Sequence, residues 1–196
     1  PRVQEHIRQE NAHAVRSLRP LRNTAKRLYR EMLAATAKEQ ADVPFERHGR
    51  YYCARQTSEE AYATLHLCTA SGRSCVLNPN RWNIAEFSIG CVQPSPDNRE
   101  LLYTVDRHGR EEYDLLVQPL VDGSQGQTLG RTCHTGVGAR ACWIGHALSY
   151  VRMDGAKRAD RVFVGESVIY SEPDEHFEVE HRVTRLGRRI MVHSAS

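Results

Sequence analysis

No apolar run in these 196 residues approaches the ~20 residues that a membrane-spanning helix needs, so a membrane-embedded helix is not expected. Charge of one sign is also lacking. Lys+Arg 27 against Asp+Glu 24 leaves a net +3, too little and too dispersed for an electrostatic nucleic-acid footprint. The opening Pro1-Arg2-Val3-Gln4-Glu5 has neither an initiator methionine nor the basic and apolar halves of a signal peptide, which leads us to expect a fragment of a longer chain. Six cysteines, at 53, 68, 75, 91, 133 and 142, include no CxxC spacing, so a zinc-ribbon reading has no support. Six in this length is also too thin for a disulfide-built secreted scaffold. Reduced, mostly buried thiols and a cytoplasmic location are the expectation.

The composition that is present, 40% hydrophobic and 26% charged, belongs to an ordinary folded protein. Residues 1–42 are helical in style. Val3, Ile7, Ala14, Val15 and Leu18 recur at three- and four-residue steps, and Ala25, Leu28, Tyr29, Met32 and Leu33 form a second such run. Arg19-Pro20 breaks the two apart, because the residue before a proline is pushed out of the helical region. From residue 43 to 196 the period becomes 2. Strands are expected at Arg47–Arg55, Ala61–Thr69, Glu86–Val92, Glu100–Asp106, Tyr113–Leu120, Gly138–Trp143, Ala147–Met153, Arg161–Val164, Ser167–Ser171, Phe177–Val183 and Arg188–Ser194. Turn signals such as His48-Gly49, Pro96-Asp97-Asn98, Asp122-Gly123 and Pro173-Asp174 separate them. Similar strand-opening segments anchored at Tyr103, Tyr150 and Val192 recur at a period of 40–50 residues, which is the spacing of β-propeller blades.

Several segments resemble the oligopeptidase B branch of the prolyl oligopeptidase family. They are Gln9-Glu10-Asn11-Ala12, Val43-Pro44-Phe45 with Arg50 to Arg55, Ser95 to Asn98, Leu102 to Asp106 with Gly109, Glu112 and Tyr113, and Val168 to Phe177. They run in order through nearly the whole chain. The resemblance implies a mainly β fold: an α-helical arm, 1–42, then a partial β-propeller, about three to four blades of a seven-bladed type, 43–196. It further implies a carboxy-terminal α/β-hydrolase domain of the parent chain as partner, short peptides as the parent's substrates, and cleavage after basic residues. The segment after Trp143 and that between Arg161 and Val168 are shorter than the family pattern, which places strand register at issue there.

Serine chemistry needs Gly-x-Ser-x-Gly, which holds the nucleophile on a sharp turn. Glu86-Phe87-Ser88-Ile89-Gly90 lacks the first glycine, Gly165-Glu166-Ser167-Val168-Ile169 lacks the second, and Gly123-Ser124-Gln125-Gly126 is wrongly spaced. No catalytic residue is expected. Metal chemistry fares no better. His176 and His181, five apart on one expected strand, should face opposite ways, and Cys133-His134 with Cys142 lacks a fourth ligand. Glycines 123, 126, 130, 136 and 138 read as an inter-strand loop, since no Gly-Lys-Ser/Thr follows for a phosphate site. Arg16, Arg19, Arg22, Lys26, Arg27 and Arg30 read as a solvated or partner-docking helix face, and Asp174-Glu175 as a turn. The expectation is therefore no cofactor, no metal, no nucleic acid, no membrane and no activity by the chain alone. A stand-alone β-rich interaction module is the alternative.

Overall fold

The computed structural model describes residues 2–121 and 129–196, and its contacts divide the chain into two compact units at Gln40/Ala41. In the first unit, helix α1 (Arg2–Leu18) and helix α2 (Arg22–Ala35) flank a single 3-10 turn, Arg19–Leu21, where Pro20 sits. No residue of either helix is buried. Their apolar stripe, including Val3, Ile7, Leu18, Leu28 and Leu33, faces solvent.

A short strand, β1 (Glu39–Ala41), crosses the division, and the second unit is an antiparallel meander. Its first sheet holds β2 (Phe45–Arg47), β3 (Arg50–Thr57), β4 (Thr64–Thr69) and β5 (Gly72–Leu77). Seven strands follow as one sheet: β6 (Ser88–Pro94), β7 (Glu100–Asp106), β8 (Tyr113–Pro119), β9 (Arg131–Ile144), β10 (Ala147–Met153), β11 (Ala159–Val164) and β12 (Ser167–Ser171). A hairpin of β13 (Glu178–Val183) and β14 (Ile190–Ala195) ends the described chain.

These strands make four repeats. The anchors Tyr103, Tyr150 and Val192 lie on β7, β10 and β14, the second strand of successive repeats, and Tyr52 lies on β3, the second strand of the first. The second and third repeats share β9. Its first half pairs with β8 (Leu116 opposite Thr132) and its second half with β10 (Tyr150 opposite Ala141). This corrects the expected strand start at Gly138 and the reading of Gly136 and Gly138 as loop, while Gly130 lies just ahead of the strand. Gly136, at φ +66°, bends a strand that begins at Arg131. The stretch around Gly123 and Gly126, and the Asp122-Gly123 turn, lie outside the described residues.

Alternation along β7 shows how the repeats stack. Leu101, Tyr103 and Val105 pack with Tyr52, Leu67, Val76 and Trp82 of the first repeat. Leu102 on the opposite face packs with Val137, Trp143, Tyr150 and Phe163 of the third. A third cluster, Val151, Val162 and Val179, joins the third repeat to the fourth. Strands buried on both faces are what stacked blades require, and each such side chain stabilises the fold by roughly 1.5–3 kcal/mol. Where β9 doubles back over β6 and β7, the Thr104 hydroxyl donates to the Ala139 carbonyl (2.5 Å) and the Trp143 indole N–H donates to the Gln93 carbonyl (3.3 Å).

The two shortened segments form tight hairpins. Two-residue turns, Gly145-His146 and Gly165-Glu166, close them, with Ile144 opposite Ala147 and Val164 opposite Ser167. Register does slip in the second of them, between Val162 and Phe163 as expected there, and also between Arg152 and Met153 outside both. Gly72–Leu77 was not among the expected strands. Ser71-Gly72 reads as a turn, and the run behind it, Arg73-Ser74-Cys75, has too little apolar alternation to signal a strand by itself.

Candidate functional site

The turns that join the first and second strands of the first, second and fourth repeats, with the end of β9 just ahead of the third repeat's turn, gather around one cavity of about 660 Å3. Its wall includes Glu46, Arg47, His48, Trp143, Arg185 and Leu186. The turns hold one another. Asn98 donates from Nδ2 to the His48 carbonyl (2.8 Å) and accepts the Tyr52 hydroxyl at Oδ1 (2.9 Å). The Gly145 N–H donates to the Gly187 carbonyl (3.4 Å), and Arg185 Nη2 reaches Glu46 Oε2 at 3.3 Å. The Gly49 N–H donates to Glu46 Oε1 (2.7 Å), and this bond, ahead of Arg185, holds the Glu46 carboxyl below the usual carboxylate range. Asp97 is likewise held low, first by the Ser95 hydroxyl at 2.6 Å and then by the Arg99 N–H. Both carboxylates are therefore ionised at neutral pH and paired with donors. The rim thus carries fixed charges of both signs.

Sequence patterns marked the individual turns but not their convergence, which depends on how the repeats stack. The available signal was that each turn follows the first strand of its repeat. Elsewhere the structure keeps the candidate serines apart from any acid–base partner set. Ser88 is exposed at the start of β6, Ser167 is exposed at the start of β12, and Ser124 lies outside the described residues.

One buried pair does unite a serine with a histidine. His181 Nε2 lies 3.0 Å from Ser149 Oγ, whose proton goes to the Cys142 carbonyl (3.2 Å). Ser149 can then only accept, so Nε2 carries the hydrogen and Nδ1, buried without a partner, is the bare nitrogen. This is the reverse of a base activating a nucleophile, where the imidazole accepts from the hydroxyl. Burial, chiefly, holds His181 below the ordinary histidine range.

The expectation that His176 and His181 share one strand is corrected. Asp174 Oδ1 accepts from the His176 N–H (3.0 Å) and sits 2.8 Å from its Nδ1, so a turn persists through His176 and the strand starts at Glu178. His176 is exposed, whereas His181 is 2% exposed. Cys133 and Cys142 sit nine residues apart along β9, about 25–30 Å in a straight strand. His134 packs against Tyr150 with ring centroids 4.3 Å apart and the rings tilted by 30°. Among the described residues no group of three His, Cys, Asp or Glu side chains is placed to hold a metal ion, and no helix is long and apolar enough to cross a membrane.

Meander repeats stacked face to face, with one end of the stack around a cavity, are the architecture of a propeller segment. The family described as "Prolyl oligopeptidase, N-terminal beta-propeller domain" matches residues 1–196. The chain belongs to this family. Among characterised relatives, this propeller chain is 25% identical over 203 residues to dipeptidyl aminopeptidase BI of Pseudoxanthomonas mexicana, covering 88% of the chain and 28% of the relative. Oligopeptidase B of Leishmania major superimposes over 100% of the chain and 30% of its own length, with TM-score 0.83 and 18% identity. Oligopeptidase B of Trypanosoma brucei does so over 100% and 29%, with TM-score 0.80 and 18% identity. The prolyl oligopeptidase propeller chain thus spans less than a third of these proteins.

Proposed function

We propose that this chain is the amino-terminal propeller portion of an oligopeptidase-B-like serine endopeptidase, and that it gates peptide access to an α/β-hydrolase domain. The observation that carries this reading is the convergence of three of the four first turns, with the end of β9 that leads into the other, on one cavity, within a chain matched over its full length by the family's propeller domain. Turns bonded to one another make a rim of fixed width. Such a rim admits an extended peptide and turns away a folded protein. The parent enzyme is proposed to act in the cytoplasm on short peptides, cutting after basic residues, with nucleophile, base and oxyanion hole supplied by the hydrolase domain.

Two measurements test this. The 196-residue chain alone should leave a serine-directed fluorophosphonate unreacted and should not cleave Arg- or Lys-ester peptides. Joined to the remainder of the Pseudoxanthomonas mexicana relative, it should yield an enzyme that cleaves short peptides and spares a folded protein of the same sequence content. Stoichiometric labelling of the isolated chain would overturn the assignment of catalysis to another domain. Equal cleavage of peptide and folded protein by the chimera would overturn gating.

A further inference from the structure

On the face of β3 and β4 opposite the one that joins the apolar cluster, two thiols come together. Cys68 Sγ donates to Cys53 Sγ at 3.3 Å. In register, Cys53 lies opposite His66 and Cys68 is two residues farther along β4, so the two cysteines are diagonal neighbours on one face. Arg73, exposed and directly opposite Cys68 on β5, sets a positive charge beside them. Cys53 is fully buried, whereas Cys68 is half-buried.

We propose that Cys53 and Cys68 form a redox-labile pair, a modification site that takes small anionic disulfides such as oxidised glutathione and converts them into a cross-link between β3 and β4. The sulfurs must close from 3.3 Å to a bond of about 2.05 Å, and because diagonal neighbours hold their Cα atoms about 7–8 Å apart, the bond forms only as β3 and β4 draw locally together. Exposure sets the order. Cys68 loses its proton, and its thiolate attacks one sulfur of the small disulfide, breaking that S–S bond and expelling one thiolate. Cys53 then gives up its proton and attacks Cys68 Sγ, expelling the second thiolate. The protein pair is oxidised by two electrons, the small disulfide is reduced, and the two released protons end on the two small thiols. Arg73 favours the first step by attracting the carboxylates of glutathione to the Cys68 side of the pair. Burial holds the Cys53 thiol above its ordinary range, which suits it to the second, intramolecular attack rather than the first.

The test uses the full chain treated with oxidised glutathione under native conditions, then alkylated, digested without reductant and mapped by mass spectrometry. A product lighter by two hydrogens, with the Cys53 and Cys68 peptides joined and Cys75, Cys91, Cys133 and Cys142 alkylated, is expected. Cys53→Ser should stop at a glutathione adduct on Cys68, and Cys68→Ser should leave Cys53 unmodified. A cross-link that involves Cys75, a stable adduct on Cys68 of the unsubstituted chain, or no reaction at all would each overturn the proposal. Because the unsubstituted chain decides among these outcomes, a failure of either variant to fold leaves the test intact.

Discussion

Helix α1 and strand β7 are both patterned for burial, yet only one of them is buried. In β7 every residue after Glu100 is buried, because each face meets a neighbouring repeat. Helix α1 carries its apolar stripe at helical spacing and buries nothing, with Val3 and Val15 each 72% exposed. The same local rule, side chains sorted by the period of the backbone, thus yields a core in one region and an unpartnered surface in the other. What separates them is stacking. A strand in a series of blades has a partner on both sides, whereas an isolated helix of 17 residues is marginal in water and draws most of its stability from packing. Pairs such as Arg27 with Glu31 (3.7 Å) add only about 0.2–0.5 kcal/mol to a helix.

The sharpest way to break this contrast is to cut into β7 and its neighbour. Leu102→Ala or Leu116→Ala removes a side chain at 0% exposure from a face packed on another repeat. Each should cost about 2–5 kcal/mol, from lost transfer energy and the cavity left behind. Urea unfolding followed by tryptophan fluorescence should show the midpoint fall by an amount that matches. A loss below about 1 kcal/mol, the low end for any core truncation, would mean that the repeats are loosely stacked.

A smaller effect is expected where β9 doubles back. A Cβ on Gly90 would collide with the Ala139 carbonyl oxygen and come within 2.6 Å of Thr104 Oγ1. The Ala139 obstacle is backbone inside β9, whose carbonyl already accepts from Thr104, so it cannot swing aside as a side chain would. Gly90→Ala should cost about 1–3 kcal/mol through a shift of β9. An unchanged melting temperature would show that the second and third repeats do not approach each other this closely.

Much of this contrast could be read in the sequence. Strands β7, β10 and β12 carry clean alternation between strong turns, and their limits follow from it. The Tyr103, Tyr150 and Val192 spacing marked the repeats because each is the second strand of its unit. Three features escaped for physical reasons. Strand β9 contains glycines that read as loop, since strand formation there is imposed by neighbours on both edges. His176 was placed in a strand because an aspartate-capped turn has no apolar signature. The Cys53–Cys68 contact is diagonal across a hairpin whose members lie 15 residues apart in sequence, so no linear motif reports it. The cavity rim was legible as separate turns only.

The next test moves the comparison to pH. Burial holds His181, His66 and His134 below the ordinary histidine range; nearby Arg140 opposes a proton on His181, while Glu180 and Ser149 favour one. The unfolded chain takes up these protons near the ordinary value of about 6.5 and the folded chain does not. Stability is therefore complete above that value and declines as pH falls through it towards the depressed folded values. Melting should be level in mildly alkaline buffer and should drop as the buffer passes below about pH 6.5. His181→Asn, which removes one titrating group, should shrink the drop while lowering stability at neutral pH. A drop of the same size in that variant would assign the acid sensitivity to other groups.

The smallest effect should come from the arm, and it is the most direct test of the contrast. Leu18 and Leu28 are 60% and 49% exposed, so truncating them removes surface that is already largely in water. Trp82 and Trp143, the chain's two tryptophans, both lie in the second unit, at 6% and 7% exposure. Their fluorescence therefore reports the blades and is silent about the helices. The double substitution Leu18→Ser, Leu28→Ser should shift the tryptophan-detected transition by no more than about 0.5 kcal/mol, the ordinary range for a surface change. Helical ellipticity should fall slightly, because serine is the poorer helix former by a few tenths of a kcal/mol. Binding of a hydrophobic dye should fall by a larger fraction, because these two side chains lie on the exposed apolar stripe. A tryptophan-detected loss that approached the Leu102→Ala value would mean that the stripe is covered in solution, and the distinction between arm and blades would collapse.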